Sequence, residues 1–227
     1  MNSWISQLFE ESALLRMGHG QRADDLNLGL GWLYYAMGRI VKPRNAVVIG
    51  SHRGFVPIVM AKALQDNLED GVVTFIDPSL VDSFWREPDV VQQYFEQHGV
   101  SNVRHFGMTT QECVESKHYR ELGEVGLVFV DGYHTEEQAR FDYEAFAPML
   151  ASNGFVLFHD SMVVRDDKVY GADKAYEMRV KYFIDELKKD DSLQVMDWPF
   201  GVSGLALVRK IDRSAPNPLR DWIEGHP

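Results

Sequence analysis

The chain has 227 residues, 45% of them hydrophobic and 25% charged, a globular composition with room for a sizeable core in one large domain. Its formal net charge of −11, with no basic cluster longer than Lys188–Lys189, argues against nucleic-acid and anionic-membrane partners. No stretch approaches the ~20 apolar residues that span a bilayer, the start carries Glu10 and Glu11 and no basic flank, and Cys113 is a lone cysteine. A cytosolic location and a packing role for Cys113 are therefore expected.

Residues 1–42 read as a helical extension, with Trp32, Leu33, Met37 and Ile40 at helical spacing after a polar, glycine-rich loop over 18–29. From Asn45 onward, strand-like and helix-like segments alternate. Ala46–Gly50 is a short β-branched run ending in glycine, and Phe55–Leu64 follows as a helix with Pro57 tolerated in its first turn. Val72–Asp77 is a second strand, stopped by Pro78. Pro88–Gly99 is helical, with Val91, Tyr94 and Phe95 on one face and Gly99 as its cap. Val103–Phe106 is a third strand, and Thr109 with Glu112 has capping-box spacing for the next helix. Gly126–Asp131 is a fourth strand, followed by a helix, and Gly154–Asp160 is a fifth. The polar stretch Val163–Asp173 is expected as a solvated loop or a lid. A helix after it places Tyr176, Val180, Phe183, Ile184 and Leu187 on one face. Leu193–Trp198 and Gly204–Lys210 lie too close for a helical crossover, so they pair as a hairpin.

Five β-α units with continuously apolar strands require a doubly wound α/β fold: a seven-stranded, mostly parallel sheet with an antiparallel terminal hairpin, over residues 43–212 with a tail at 213–227. A plain dinucleotide-binding domain has no such ending. The ending is similar to that of the class I S-adenosylmethionine-dependent methyltransferase fold.

Ligands of open parallel sheets bind beyond the carboxyl ends of the strands, so the polar residues there are the candidates. Gly50-Ser51-His52-Arg53-Gly54 is a GxxxG turn, a plain tight turn or a ligand loop; it lacks the GxGxxG spacing of a pyrophosphate site. Asp77 either binds ribose hydroxyls or caps a turn. Gly107-Met108-Thr109-Thr110 follows strand three. Two acids, Asp131 and Asp160, close apolar strands four and five, where a carboxylate is expensive unless solvated, paired or metal-bound. His134 either caps the next helix or acts chemically, and His159 is either a core histidine or part of the same rim.

The segment Leu127–Ser161 carries Asp-Gly-x-His, a helix with an internal Asp, a turn at Asn153-Gly154 and a strand ending His-Asp. It resembles the methyltransferase group that includes macrolide sugar O-methyltransferases and cephalosporin-tailoring enzymes (Methyltransferase 24-like). The architecture extends the resemblance over roughly residues 44–210. It implies S-adenosylmethionine as cofactor, with Gly50, Ser51, Gly54, Asp77, Met108, Thr109 and Asp131 as its contacts. It also implies Mg²⁺ held by Asp131 and Asp160, with His159 as a further ligand, and a small-molecule hydroxyl as acceptor. His134, or else His159, is the expected general base. Trp85, Tyr133, Trp198 and Phe200 are candidates for an acceptor pocket, and the N-terminal helix for a homodimer contact. One departure is Val48, which stands where many such enzymes have an acid two places before the first glycine. It supports an alternative, a methyltransferase-like module that binds without catalysing. An NAD(P)-dependent oxidoreductase is a third reading, but it calls for a GxGxxG turn and no terminal hairpin, and neither matches this chain.

Overall fold

The computed structural model describes residues 1–16, 18–168, 171, 175–201 and 203–211. In chain order the elements are α1 (Asn2–Leu8), α2 (Gly31–Val41), β1 (Asn45–Ile49), α3 (Phe55–Gln65), β2 (Val72–Ile76), α4 (Pro88–Gln97), β3 (Val103–Phe106), α5 (Thr110–Glu115), α6 (Lys117–Glu121), β4 (Val125–Val130), α7 (Glu136–Phe146), β5 (Leu150–His159), β6 (Arg165–Asp167), β7 (Tyr176–Met178), α8 (Val180–Leu187), β8 (Leu193–Trp198) and β9 (Leu205–Lys210). Seven strands form one sheet in the order β3-β2-β1-β4-β5-β9-β8, with β9 antiparallel to both of its neighbours. This is the doubly wound, seven-stranded sheet with a terminal hairpin that the sequence calls for. Strand order reverses between β1 and β4, and the carboxyl ends of those two strands form the crevice in which such sheets bind ligands.

Every residue of β4 is buried, which is possible only for a strand covered on both faces. Alternate side chains feed two separate cores. Val48, Phe75 and Phe129 pack with α2, α3 and α4 on one face, and Val47, Val128, Val130 and Phe158 pack with α7 and α8 on the other. Val48 is fully buried in the first of these, away from the crevice. The N-terminal residues share that core: Ile5, Leu8, Leu14 and Leu28 are fully or almost fully buried in it, and the Trp4 indole donates to the His98 carbonyl at 2.8 Å. Helix α2 lies close on α3 because Gly38 has no side chain; a Cβ there would stand 2.7 Å from that of Ala63.

Local signals hold at the helix starts. Thr109 and Glu112 form the capping box of α5, and Thr135 caps α7. Cys113 is buried and free, its thiol pushed up by burial, in keeping with packing. Two expectations change. Tyr176 lies not on a helix but in β7, paired antiparallel with β6; α8 begins only at Val180. The reason is local: Tyr176 and Met178 are buried while Glu177 is exposed, a period of two. Strand β5 also starts earlier than Gly154, at Leu150, across an irregularity in its pairing with β4. Of the stretch 163–173, Val163 is buried, Arg165–Asp167 is a strand, and residues 169, 170, 172 and 173 lie outside the described residues, as does the tail 213–227. No helix among the described residues is long and apolar enough to cross a membrane.

Candidate functional site

The β1 and β4 turns are pressed together. Gly50 has φ 67°, and a Cβ on it would stand 2.4 Å from the Gly132 Cα and 2.5 Å from the Asp131 carbonyl oxygen. The Asp131 N–H donates to the Ile49 carbonyl at 2.8 Å. Beside this joint opens a cavity of about 370 Å³, bounded by the ends of β1, β2 and β4 and by the loop after β3. Gly50, Ser51, Asp77, Met108, Thr109 and Asp131 all line it. Gly54 does not line it. In its left-handed conformation it starts α3 and faces Trp85, whose ring a Cβ would meet at 2.9 Å.

Asp77 has both roles open to it from the sequence. One oxygen accepts from the Ser79 N–H at 2.7 Å, and the half-buried carboxylate also faces the cavity. Burial pushes its pKa up to about 6, against the hydrogen bonds from Ser79 and Ser51. Deeper in the wall is the internal Asp of the α7 motif, for which no role in the site was read from the sequence. Asp142 on α7 is fully buried; Oδ1 accepts from Gln138 Nε2 at 2.8 Å, and Oδ2 has no hydrogen-bond partner. Burial raises it to about 6 despite the bonds from Thr110 and Gln138. Gln138 in turn accepts from Gln111 Nε2 at 2.8 Å, so three polar side chains run in line along the cavity.

At the rim, two carboxylates and three imidazoles converge. His159 Nδ1 lies 3.2 Å from Asp131 Oδ1 and 3.5 Å from Asp160 Oδ1. His134 Nδ1 is 3.4 Å from Asp160 Oδ2, and its Nε2 is 4.0 Å from Asp131 Oδ1. Burial alone would lower the His159 pKa, but attraction to Asp131 and hydrogen bonds to both acids outweigh it and raise it to about 10. Burial likewise pushes Asp160 up, and the bond from His159 and the nearby His134 and Arg165 pull it below its usual range. Asp160 also takes φ 55°, an uncommon backbone state for a non-glycine. One oxygen or nitrogen each from Asp131, His134 and Asp160 lie within 4.8 Å of one another, a spacing that suits a metal ion. His159 is not in that set; it is held by the two acids instead.

The third imidazole is His19, in the segment that sequence reasoning treats only as a loop. It is buried, with Nε2 3.8 Å from Asp131 Oδ2 and its ring centre 4.4 Å from that of His159. Its backbone is fixed by a bond from the Leu30 N–H to the His19 carbonyl (2.8 Å) and by one from the His19 N–H to Gln21 Oε1 (3.2 Å); its Nδ1 meets the Tyr34 hydroxyl at 3.0 Å. Burial, then the neighbouring His159, lower its pKa well below the usual value. The available signal was a histidine between two glycines, Gly18 and Gly20, at the start of the loop.

The four aromatic candidates separate. Trp85 is core, stacked on Phe95, with its indole donating to the His52 carbonyl. Tyr133 stacks on Tyr176 at the mouth of the first cavity. Trp198 and Phe200 line a second cavity of about 760 Å³, on the far side of His19.

The model of the family described as "Methyltransferase domain" matches residues 47–161. A search of curated proteins finds no match. Among solved structures, the chain is similar to an O-methyltransferase from Bacillus cereus in complex with S-adenosylhomocysteine, at TM-score 0.65 and 12% identity over 92% of this chain and 91% of that one. It is also similar to the O-methyltransferase TomG from Streptomyces achromogenes, involved in tomaymycin synthesis and in complex with S-adenosylmethionine (TM-score 0.61, 16% identity, 92% and 88% covered). A methyltransferase from Podospora anserina bound to S-adenosylhomocysteine matches at TM-score 0.60 and 18% identity, over 91% of this chain and 88% of that one.

Proposed function

Because the chain belongs to this methyltransferase-domain family, we propose that it is an S-adenosylmethionine-dependent methyltransferase acting on the hydroxyl of a small molecule. The observation that carries the proposal is the placement of the first cavity against the carboxylate–imidazole rim, both at the switch point of the sheet. The cofactor supplies a methyl group on a sulfonium; transfer breaks its S–CH₃ bond and forms an O–CH₃ bond on the acceptor.

The residues present suit that group. Asp77 offers a carboxylate to paired ribose hydroxyls. Ile49, Ile76 and Met108 give apolar walls for a flat base, and Asp142 with Gln138 and Gln111 lines the polar side of the same cavity. Val48 supplies no acid for the amino-acid end, and Asp131, a carboxylate on the cavity, takes that place. At the rim, the two acids push the His159 pKa up to about 10, which favours its protonated form and makes it the poorer base. His134, oriented by Asp160, is then the base that accepts the hydroxyl proton. The His159 imidazolium offsets the two acids and keeps Asp131 aligned.

A second reading, metal assistance, is favoured by the spacing of Asp131, His134 and Asp160. Carboxylates with one imidazole suit a hard divalent cation such as Mg²⁺, which would acidify the acceptor hydroxyl. Under that reading His134 is a ligand and the proton leaves to solvent.

Titration calorimetry with S-adenosylmethionine and with NAD⁺, with Mg²⁺ present or chelated, tests both. Micromolar binding of S-adenosylmethionine alone is expected. Failure to bind it under any condition would make the non-catalytic module the better account, and turnover unchanged by chelation would remove the metal.

A further inference from the structure

We infer that the acceptor lies across the mouth of the first cavity, on the ring of Tyr133, and that it is an uncharged planar aromatic compound bearing a hydroxyl; this rests on the methyltransferase reading above. The cavity, about 370 Å³, has the size of one small-molecule ligand, so with the cofactor inside it an acceptor closes over the top. Three apolar side chains that line it also stand open to solvent: Leu80 is 61% exposed, Val81 41% and Tyr133 40%. They come from two loops, one after β2 and one after β4, and apolar groups left open together at the edge of a cavity mark a surface that a ligand covers. Among the described lining residues are Asp77, Asp131 and Asp142 but no Lys or Arg, so an anionic acceptor would be repelled and gain no ion pair. A cationic one would sit beside the sulfonium, and a sugar would lose hydration against Leu80 and Val81. The second cavity, lined by Trp32, Trp198 and Phe200, shares no residue with the first and gives no route to the methyl group.

Tyr133 is held as a platform. It stacks on the buried Tyr176 of β7, with ring centres 4.5 Å apart and planes 26° from parallel, so one face of its ring is backed and its orientation fixed. Tyr176 packs in turn with Val163 and Met178. The β6–β7 ribbon is tied to the rim as well. The N–H of Arg179, the residue after β7, donates to the His134 carbonyl at 2.8 Å, and the Arg179 guanidinium donates to the Arg165 carbonyl of β6 at 3.1 Å. His134 follows Tyr133 directly and lines the same cavity, with Nδ1 3.4 Å from Asp160 Oδ2. A ring lying on Tyr133 thus places its hydroxyl beside His134, in the cavity that holds the cofactor. The transfer balances as already described: the S–CH₃ bond breaks, the O–CH₃ bond forms, and the hydroxyl proton passes to His134.

The test loads the full chain with S-adenosylhomocysteine and titrates in 2-naphthol, its anionic relative 6-hydroxy-2-naphthoate, and inositol. S-adenosylmethionine affinity is measured in parallel. Wild type is expected to bind 2-naphthol at least about tenfold more tightly than either of the others, and to methylate it. The variants are Tyr133→Leu, which keeps apolar bulk without the ring, and Tyr133→Phe, which keeps the ring. Tyr133→Leu is expected to weaken 2-naphthol roughly three- to tenfold, the worth of a ring–ring contact, and to raise its KM more than it lowers kcat. Tyr133→Phe is expected to bind as wild type does, and both variants to keep S-adenosylmethionine affinity within about threefold. Suppose S-adenosylmethionine binds but 2-naphthol does not, or binds no better than inositol or the naphthoate, or equally to wild type and Tyr133→Leu: each result overturns the aromatic acceptor alone. So does 2-naphthol that is bound but never methylated. No S-adenosylmethionine binding to wild type overturns the methyltransferase reading and the acceptor with it.

Discussion

Asp131 carries more of the site than any other side chain, because His19, His134 and His159 all face its carboxylate within 4.0 Å. Removing its charge takes away the main attraction that keeps His159 protonated. His134→Ala isolates the base: kcat should fall roughly 100- to 10,000-fold while the affinity for S-adenosylmethionine stays the same, read from steady-state kinetics beside calorimetry. Asp77→Ala should do the opposite, weakening S-adenosylmethionine by roughly ten- to a hundredfold, the loss of hydrogen bonds to a charged group. Asp142 offers a test by pH. Its folded pKa of about 6 lies above the unfolded value near 3.8, so between these the folded chain binds the extra proton, and stability falls as pH rises through that window. Asp142→Asn should therefore raise the melting temperature at pH 7.5, by up to roughly 3 kcal/mol in stability, and the gain should vanish near pH 4. At this scale the sequence was legible only where a motif marked the residue. Asp131, His134, His159 and Asp160 stand in one run that ends two strands. Asp142 stands in the same motif, but its role, like that of His19, depends on burial, and burial comes from packing partners that no local pattern names.

Elements were easier to read, since β-branched runs, capping residues and glycine stops are local physics. Thr109 with Glu112 and Pro88 at the start of α4 fall where expected. The failure at Tyr176 is instructive: a three-residue ribbon is too short to show its alternation against a helical run that follows at once. The α2–α3 contact makes a sharper claim. Gly38 meets the Ala63 Cβ and Gly31 meets the Phe55 ring, so the two helices pack nearly backbone to backbone. Gly38→Leu should cost about 1–3 kcal/mol through overpacking, seen as a lower urea midpoint. The same substitution should also loosen Trp32, on the exposed face of α2, and with it one wall of the aromatic cavity.

For the whole molecule, Ile5, Leu8, Leu14 and Leu28 lie within the same core as the sheet, and His19 reaches the rim. Ligand linkage is the global readout. S-adenosylmethionine at about a hundred times its Kd should add about 2.7 kcal/mol, raising the melting temperature by roughly 5–10 °C, while NAD⁺ at the same concentration leaves it unchanged. The strand order has a further meaning for biogenesis. On the ribosome, β1 to β5 can assemble as soon as they emerge, but the outer edge of β5 is sealed only by β9, and β8, made earlier, has no sheet neighbour except β9. Until residue 210 is free, the nascent chain carries an open edge at Val156–His159, all of it buried in the finished protein. Translation that stalls between Trp198 and Leu205 leaves an adhesive strand, the kind of surface that chaperones hold and that aggregation extends.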